Sequence, residues 1–204
     1  GGFARDLIMN HRNLDIDLVV EGNGIMFARR MAKKFAGRLT YHEKFGTAVV
    51  VLPDDFRIDV ASARTEFYEY PAALPQVEFG TVRQDLFRRD FTINAMAISL
   101  NTSHFGELLD YFGGLEDIEG RKIRVLHELS FVDDPTRIFR AARFEQRYGF
   151  KMSEDTEKLA RRAVDLKLIR ELTGVRVRDE LILILSEPAP WRVLKRLEEL
   201  GVLE

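Results

Sequence analysis

The sequence contains no cysteine, which excludes disulfides, thiolate metal sites and cysteine nucleophiles. Its four histidines stand apart at positions 11, 42, 104 and 127, and none has a partner at the spacing that zinc sites use. No apolar run approaches the ~18 residues needed to span a bilayer, so no transmembrane helix is expected. No signal peptide is visible in a sequence that starts inside a motif, and a cytoplasmic setting is the expectation. Net charge is nearly absent too: 31 Lys and Arg against 33 Asp and Glu leave −2 over 204 residues. Global electrostatics therefore do not mark a nucleic-acid binder. With 46% hydrophobic residues, the chain can build one good core or two small ones.

What is present begins at once. Gly1-Gly2-Phe3-Ala4-Arg5-Asp6 pairs two glycines with a helix start. Glycine lets backbone come close to a ligand, and the amides of a following helix favour phosphate. About a dozen residues on, Leu14 to Val20 reads as a strand carrying Asp15 and Asp17. Alternate strand residues share a face, roughly 6–7 Å apart. Two carboxylates that close resist joint ionisation unless a cation sits between them. Hard oxygen ligands suit Mg²⁺, and paired Mg²⁺ ions serve nucleotidyl transfer. On its own, such a pair is more often the ordinary face of a solvated strand.

Strand and helix patterns alternate through the first 130 residues. Residues 24–36 carry apolar groups at helical spacing. Strands are expected over 38–43, 47–52 and 56–61, and 64–82 reads as a long loop, of a length often functional or mobile. Ile93 to Leu100 reads as helix or strand, and Ile123 to Leu126 as a short strand. From residue 130 onward the pattern is helical, over 131–148, 153–164, 175–185 and 191–200.

Three further clusters bear on chemistry. Asp59, in Phe56-Arg57-Ile58-Asp59, would add a third carboxylate if its strand lay beside that of Asp15 and Asp17; otherwise it is an outward-facing strand acid. Arg88-Arg89-Asp90-Phe91-Thr92-Ile93-Asn94-Ala95-Met96-Ala97 sets guanidinium donors beside what reads as the cap of a small apolar helix, a group suited to a triphosphate. Asp133-Asp134-Pro135-Thr136-Arg137 reads as helix capping, and Arg137, Arg140 and Arg143 drift only ~60° per step, which predicts a cationic stripe.

In order and spacing, GGxxRD with DxD, then RRDFTxNAMA, then DDPxRIxRAARF, resemble the motifs of class II tRNA nucleotidyltransferases and bacterial poly(A) polymerases. The match runs from Gly1 to about Phe150, with looser agreement to Glu187, and the middle motif is highly specific. The resemblance implies an α+β fold: a polymerase-β-type nucleotidyltransferase head, a mixed sheet with flanking helices over 1–130, followed by an all-α neck over 131–204. It implies that the body and tail helices and the strand ahead of the double glycine lie outside this sequence.

The resemblance assigns roles residue by residue. Asp15 and Asp17 would hold two Mg²⁺ ions, with Asp59 as the third catalytic carboxylate acting on the RNA 3′-hydroxyl. Gly2, Arg5, Arg89 and Asn94 would bind the nucleotide, with Arg89 facing its triphosphate. Asp134 and Arg137 would read the incoming base, with Arg140 and Arg143 as further nucleotide contacts. Asp133 stands where the family usually has Glu. A carboxylate accepts from the exocyclic amine of C or A, whereas U and G present a carbonyl there. An unmet buried polar group costs roughly 1–3 kcal/mol, so C and A are favoured.

The implied partners are the tRNA 3′ end and CTP or ATP, with no membrane; oligomeric state is not specified. The residues around Val19 to Gly22 and His42 to Ala48 look like the CCA-, CC- and A-adding enzymes, without choosing among them. A poly(A) polymerase ranks second. A catalytically silent RNA-binding module of the same fold is the alternative from another class.

Overall fold

The computed structural model describes residues 1–67 and 76–203, which form two compact units. The first comprises Gly1–Phe67, Gln76–Arg89 and Asn94–Phe112. It opens with helix α1 (Gly2–Ile8) and strand β1 (Ile16–Val20), then helix α2 (Gly24–Lys34). Strands β2 (Arg38–His42), β3 (Thr47–Val51) and β4 (Arg57–Ser62) follow. These make a mixed sheet in the order β1-β4-β3-β2, with β1 parallel to β4 and the other neighbours antiparallel.

Helix α2 explains one face of that sheet. Asn23 caps it by accepting from the Met26 amide at 2.8 Å. Its small residues Ala28 and Ala32 are buried against Ala48, Val50 and Val60, with Leu18, Val20 and Ile58 packed at the margin. Approach is so close at the first turn that a Cβ on Gly24 would stand 2.8 Å from the Ser62 nitrogen, so only glycine fits. Because Leu18, Val20, Ile58 and Val60 face α2, strand alternation sends Asp17 and Asp59 to the opposite face.

The remainder of this unit departs from the sequence reading in two places. Much of 64–82 is not loop: β5 (Arg64–Phe67) and β6 (Gln76–Phe79) pair antiparallel, and α3 (Val82–Phe87) starts on a Thr81/Gln84 capping box. Those strands are polar and four residues long, too short to show a period. The central part of the expected loop, 68–75, lies outside the described residues. Nor does a small apolar helix follow Arg88-Arg89-Asp90. Thr92–Asn94 is a single 3₁₀ turn, and β7 (Met96–Ile98) pairs antiparallel with β8 (Leu108–Asp110).

The second unit holds Asp90–Ile93 and residues 113–203. Its elements are α4 (Gly114–Glu119), β9 (Lys122–Ile123), α5 (Ser130–Asp133), α6 (Thr136–Tyr148), β10 (Lys151–Met152), α7 (Glu154–Asp165), α8 (Gly174–Leu185) and α9 (Pro190–Glu199). The helix expected over 131–148 is two, because proline lacks an N–H and forces the preceding residue out of helical geometry. Asp134 accordingly takes φ −141° and ψ 94° between α5 and α6. Helix α6 is the centre of this unit, burying Ile138, Phe139, Ala141, Ala142 and Phe144. Phe91 meets Phe144 edge-on at 5.8 Å, and Val193 and Leu197 of α9 are fully buried. A polar network is threaded through this core. Buried Glu145 accepts from the Met152 amide and from Arg196 Nε, both at 2.7 Å, and Arg196 also reaches Glu157 at 2.5 Å. Among the described residues no helix is long and apolar enough to cross a membrane.

Candidate active site

Parallel pairing of β1 with β4 sets Asp17 directly beside Asp59 in register. Asp15 sits one residue ahead of β1 and reaches the same place: one carboxylate oxygen from each of Asp15, Asp17 and Asp59 lies within 4.8 Å of the others. Three residues from two chain segments thus converge on one point. Burial pushes the Asp17 carboxyl above the ordinary range; Asp15 and then Asp59 add to this, while Arg89 opposes it. Among the described residues Asp59 has a single loose cation, Arg57 at 3.9 Å. Crowded like charges with so little compensation, and only hard oxygen donors, match what a divalent cation requires.

A chain of hydrogen bonds holds the first of these acids. Asp15 donates its amide to the Asn13 side-chain oxygen at 2.7 Å, and Asn13 donates to Asp6 at 2.6 Å. Asp6 accepts in turn from Arg5 at 2.7 and 2.8 Å, and Arg5 donates to the side-chain oxygen of Asn94. Arg5, Asp6 and Asn94 are all buried. At its buried Arg5–Asn94 end such a network fixes geometry, while the Asn13–Asp15 end is exposed. The sequence reading missed Asp6 and Asn13, although the RD pair and an Asn two residues ahead of Asp15 were visible signals for them.

Arg89 is held as well. Its Nη2 meets Asp85 at 3.1 Å, and Asp85, wholly buried, also binds Arg88 at 2.8 Å. A Cβ on Gly1 would collide with Arg89 Nη1, so this glycine makes room for the guanidinium. At Gly2, by contrast, a Cβ would make only ordinary contact with Arg5.

In the second unit, the hydrogen bonds to the Asp134 carboxylate from described residues land on Oδ1: from the Thr136 amide at 2.9 Å, its hydroxyl at 2.5 Å and Arg176 at 2.7 Å. Among the described residues, Oδ2 keeps its acceptor capacity. Arg137 donates to Ser130 Oγ at 2.7 Å. The cationic stripe predicted for Arg137, Arg140 and Arg143 is not formed. Arg137 and Arg143 are buried, and Arg140 is bound to Asp90 at 2.5 Å. Arg143 lies 3.8 Å from Glu180 and 3.7 Å from Glu187, and stacks 5.0 Å from the Phe144 ring centre. The neutralising acids come from segments remote in sequence, which a local reading of α6 cannot supply. Burial lowers the affinity of Arg143 for its proton and raises the Glu180 carboxyl. Burial also lowers His127 and raises Asp133, which face each other at 3.9 Å.

The mixed sheet with flanking helices is the polymerase-β-type nucleotidyltransferase fold. The chain belongs to the family described as "Poly A polymerase head domain", which matches residues 1–124. A second family, described as "Probable RNA and SrmB- binding site of polymerase A", matches residues 149–204. The A-adding tRNA nucleotidyltransferase of Geobacter sulfurreducens is 52% identical over 203 residues, which is 100% of this chain and 23% of that protein. The A-adding tRNA nucleotidyltransferase of Aquifex aeolicus is 44% identical over 204 residues, 100% of this chain and 25% of that protein. A solved structure described as an apo form of a CCA-adding enzyme superimposes with a TM-score of 0.96 at 52% identity, covering 99% of this chain and 48% of that one. The chain therefore spans about a quarter of the length of these two curated relatives.

Proposed function

We propose that this chain carries the transfer centre and the nucleotide-selecting segment of a tRNA nucleotidyltransferase, which adds adenylate or cytidylate to a tRNA 3′ end with release of pyrophosphate. The observation that carries this reading is the convergence of Asp15, Asp17 and Asp59 to within 4.8 Å, in a chain whose relatives bear that activity in their names. Both of those relatives are A-adding, which favours ATP as the nucleotide.

Asp15 and Asp17 would hold two Mg²⁺ ions, which lower the pKa of a bound hydroxyl and neutralise a departing pyrophosphate. The chain's own residues do the rest. Asp59 accepts the proton of the 3′-hydroxyl as that oxygen attacks the α-phosphorus and the bond to pyrophosphate breaks. Arg89, braced by Asp85, binds the triphosphate. Gly2 and Arg5 lie at the same end of the unit; the Arg5–Asp6–Asn13 chain keeps Asp15 in place. Arg140 and Arg143 shape the helix that carries the selecting residues. Asp134 accepts the exocyclic amine of A or C through Oδ2, and Arg137 donates to the neighbouring ring acceptor; a carbonyl in place of the amine leaves Asp134 without a donor. Protein side chains thereby take the part of a template. The cytoplasm, where tRNA substrate is at hand, is the proposed setting.

The test gives the full-length protein separate tRNAs ending before CCA, after C and after CC, each with one nucleotide and Mg²⁺. Single adenylate addition to the tRNA ending in CC is the expected result. Untemplated runs of A on any RNA would favour a poly(A) polymerase instead, the activity in the family's own description. Nucleotide binding with no incorporation would leave a silent module and overturn the proposal.

A further inference from the structure

The segment from residue 22 to 42 carries Arg29, Arg30, Lys33, Lys34 and Arg38 and not one Asp or Glu. With five positive charges here and −2 overall, the rest of the chain bears −7. Charge is therefore segregated in a molecule that looks neutral in sum. Arg29, Arg30, Lys33 and Lys34 all lie on the exposed side of α2, and among the described residues none of these four is in an ion pair. Arg38 alone has one, with exposed Asp55 at 2.9 Å.

Such a face is unusual on energetic grounds. Arg29 with Lys33, and Arg30 with Lys34, stand at i, i+4, where like charges destabilise a helix by roughly 0.2–0.5 kcal/mol per pair. The helix C-terminus offsets part of this at Lys33 and Lys34 only. Helix α7 shows the ordinary solution in the same chain: Lys158 faces Asp155 at 3.3 Å and Arg161 faces Glu157 at 2.6 Å. Among the described residues, helix α2 has no such relief. Aromatic rings are set among its cations instead. Phe27, Phe35 and Tyr41 are 42%, 51% and 41% exposed. The Arg29 guanidinium lies 5.7 Å from the Tyr41 ring centre, and Lys34 Nζ lies 5.7 Å from that of Phe35. Cations interleaved with exposed rings suit a phosphate backbone with bases able to stack.

We infer that the outer face of α2, with Tyr41 of β2, binds the phosphate backbone of RNA at a stretch remote from the reacting 3′ end. This rests on the proposed function for the identity of the partner. Remoteness follows from the sheet: α2 covers one face, while Asp17 and Asp59 project from the other. RNA held on α2 is thus gripped rather than transformed, so the surface sets affinity and leaves the transfer step alone.

The test compares the protein with a variant carrying Arg29→Gln, Arg30→Gln, Lys33→Gln and Lys34→Gln, exposed changes that retain helix propensity. Binding of a tRNA ending in CC is followed by fluorescence anisotropy between about 50 and 200 mM salt. The variant is expected to bind at least about tenfold more weakly, with a salt slope shallower by about one per cation removed. KM for the tRNA should rise by the same factor as kcat stays unchanged. An unchanged slope and affinity would overturn the inference, even with transfer intact. The opposite split, a weakened variant of a protein that binds tRNA without extending it, would uphold the surface and sink the proposed activity. If the cations are needed instead for phosphatidylserine–phosphatidylcholine vesicles, and tRNA is bound equally by both proteins, the surface faces lipid and the inference fails.

Discussion

In the first unit, Asp15, Asp17 and Asp59 crowd together, and among the described residues only Arg57, 3.9 Å away, is paired to any of them. In the second, Arg140, Arg176 and Arg196 each meet a carboxylate at 2.5–2.7 Å. Both arrangements concentrate charge, and they have opposite consequences for folding. Uncompensated acids raise the energy of the native state and are relieved by any species that supplies positive charge. Matched pairs in a core hold elements in place, and removing one partner strands the other. On the proposed function, tension in the first unit would belong to ligand binding, and order in the second to architecture and to the orientation of Asp134.

The sharpest way to break this contrast is Asp17→Asn. Transfer to tRNA should fall roughly 10³-fold, corresponding to the several kcal/mol that such charge stabilisation supplies, while thermal stability without divalent ions holds or rises. A variant that transfers normally would remove Asp17 from the centre. The counterpart in the second unit is Arg196→Ala, which strands the wholly buried Glu145 and should lose about 3–5 kcal/mol in urea unfolding. A loss comparable to that of an exposed pair would show that water compensates Glu145.

A smaller effect separates orientation from mere stability. Arg176→Ala frees Asp134 Oδ1 from one of its three donors, and the preference for ATP over GTP and UTP should drop about tenfold, at the low end of the cost of a misplaced buried acceptor. The rate with ATP should change less. Arg176→Lys should restore part of the preference, and Asp134→Ala provides the reference for complete loss. Discrimination untouched in Arg176→Ala but lost in Asp134→Ala would reduce Arg176 to packing.

The least of these effects is in acid. The hydrogen bond from Arg196 holds the Glu157 carboxyl below its ordinary 4.5; burial opposes this and Arg161 adds to it. A depressed folded value means that the stabilisation is complete above pH 4.5 and is lost as pH falls through the lower folded value. Glu157→Gln should flatten that acid limb of the melting temperature, and an unaltered limb would place the acid sensitivity in another carboxylate.

How much of this could be read beforehand depends on range. The strand bearing Asp17 and that bearing Asp59 showed in their alternation, and the helices of the second unit in their 3.6-residue period. That the two strands are parallel and in register is a long-range fact, and so is the convergence of three carboxylates. The same limit explains the arginines of α6. Their spacing was right, yet Asp90, Glu180 and Glu187 neutralise them from afar. The hairpin of β5 and β6 failed for a local reason, since Arg64-Thr65-Glu66 offers no apolar alternation.

The bonded path from Asn94 through Arg5, Asp6 and Asn13 to Asp15 also predicts where genetic lesions will fall. A screen for inactive alleles should recover changes at Asp6 and Asn13. The Asn13 alleles would make folded protein whose fault lies in the placement of Asp15, whereas those at buried Asp6 would also strand Arg5 and lose stability.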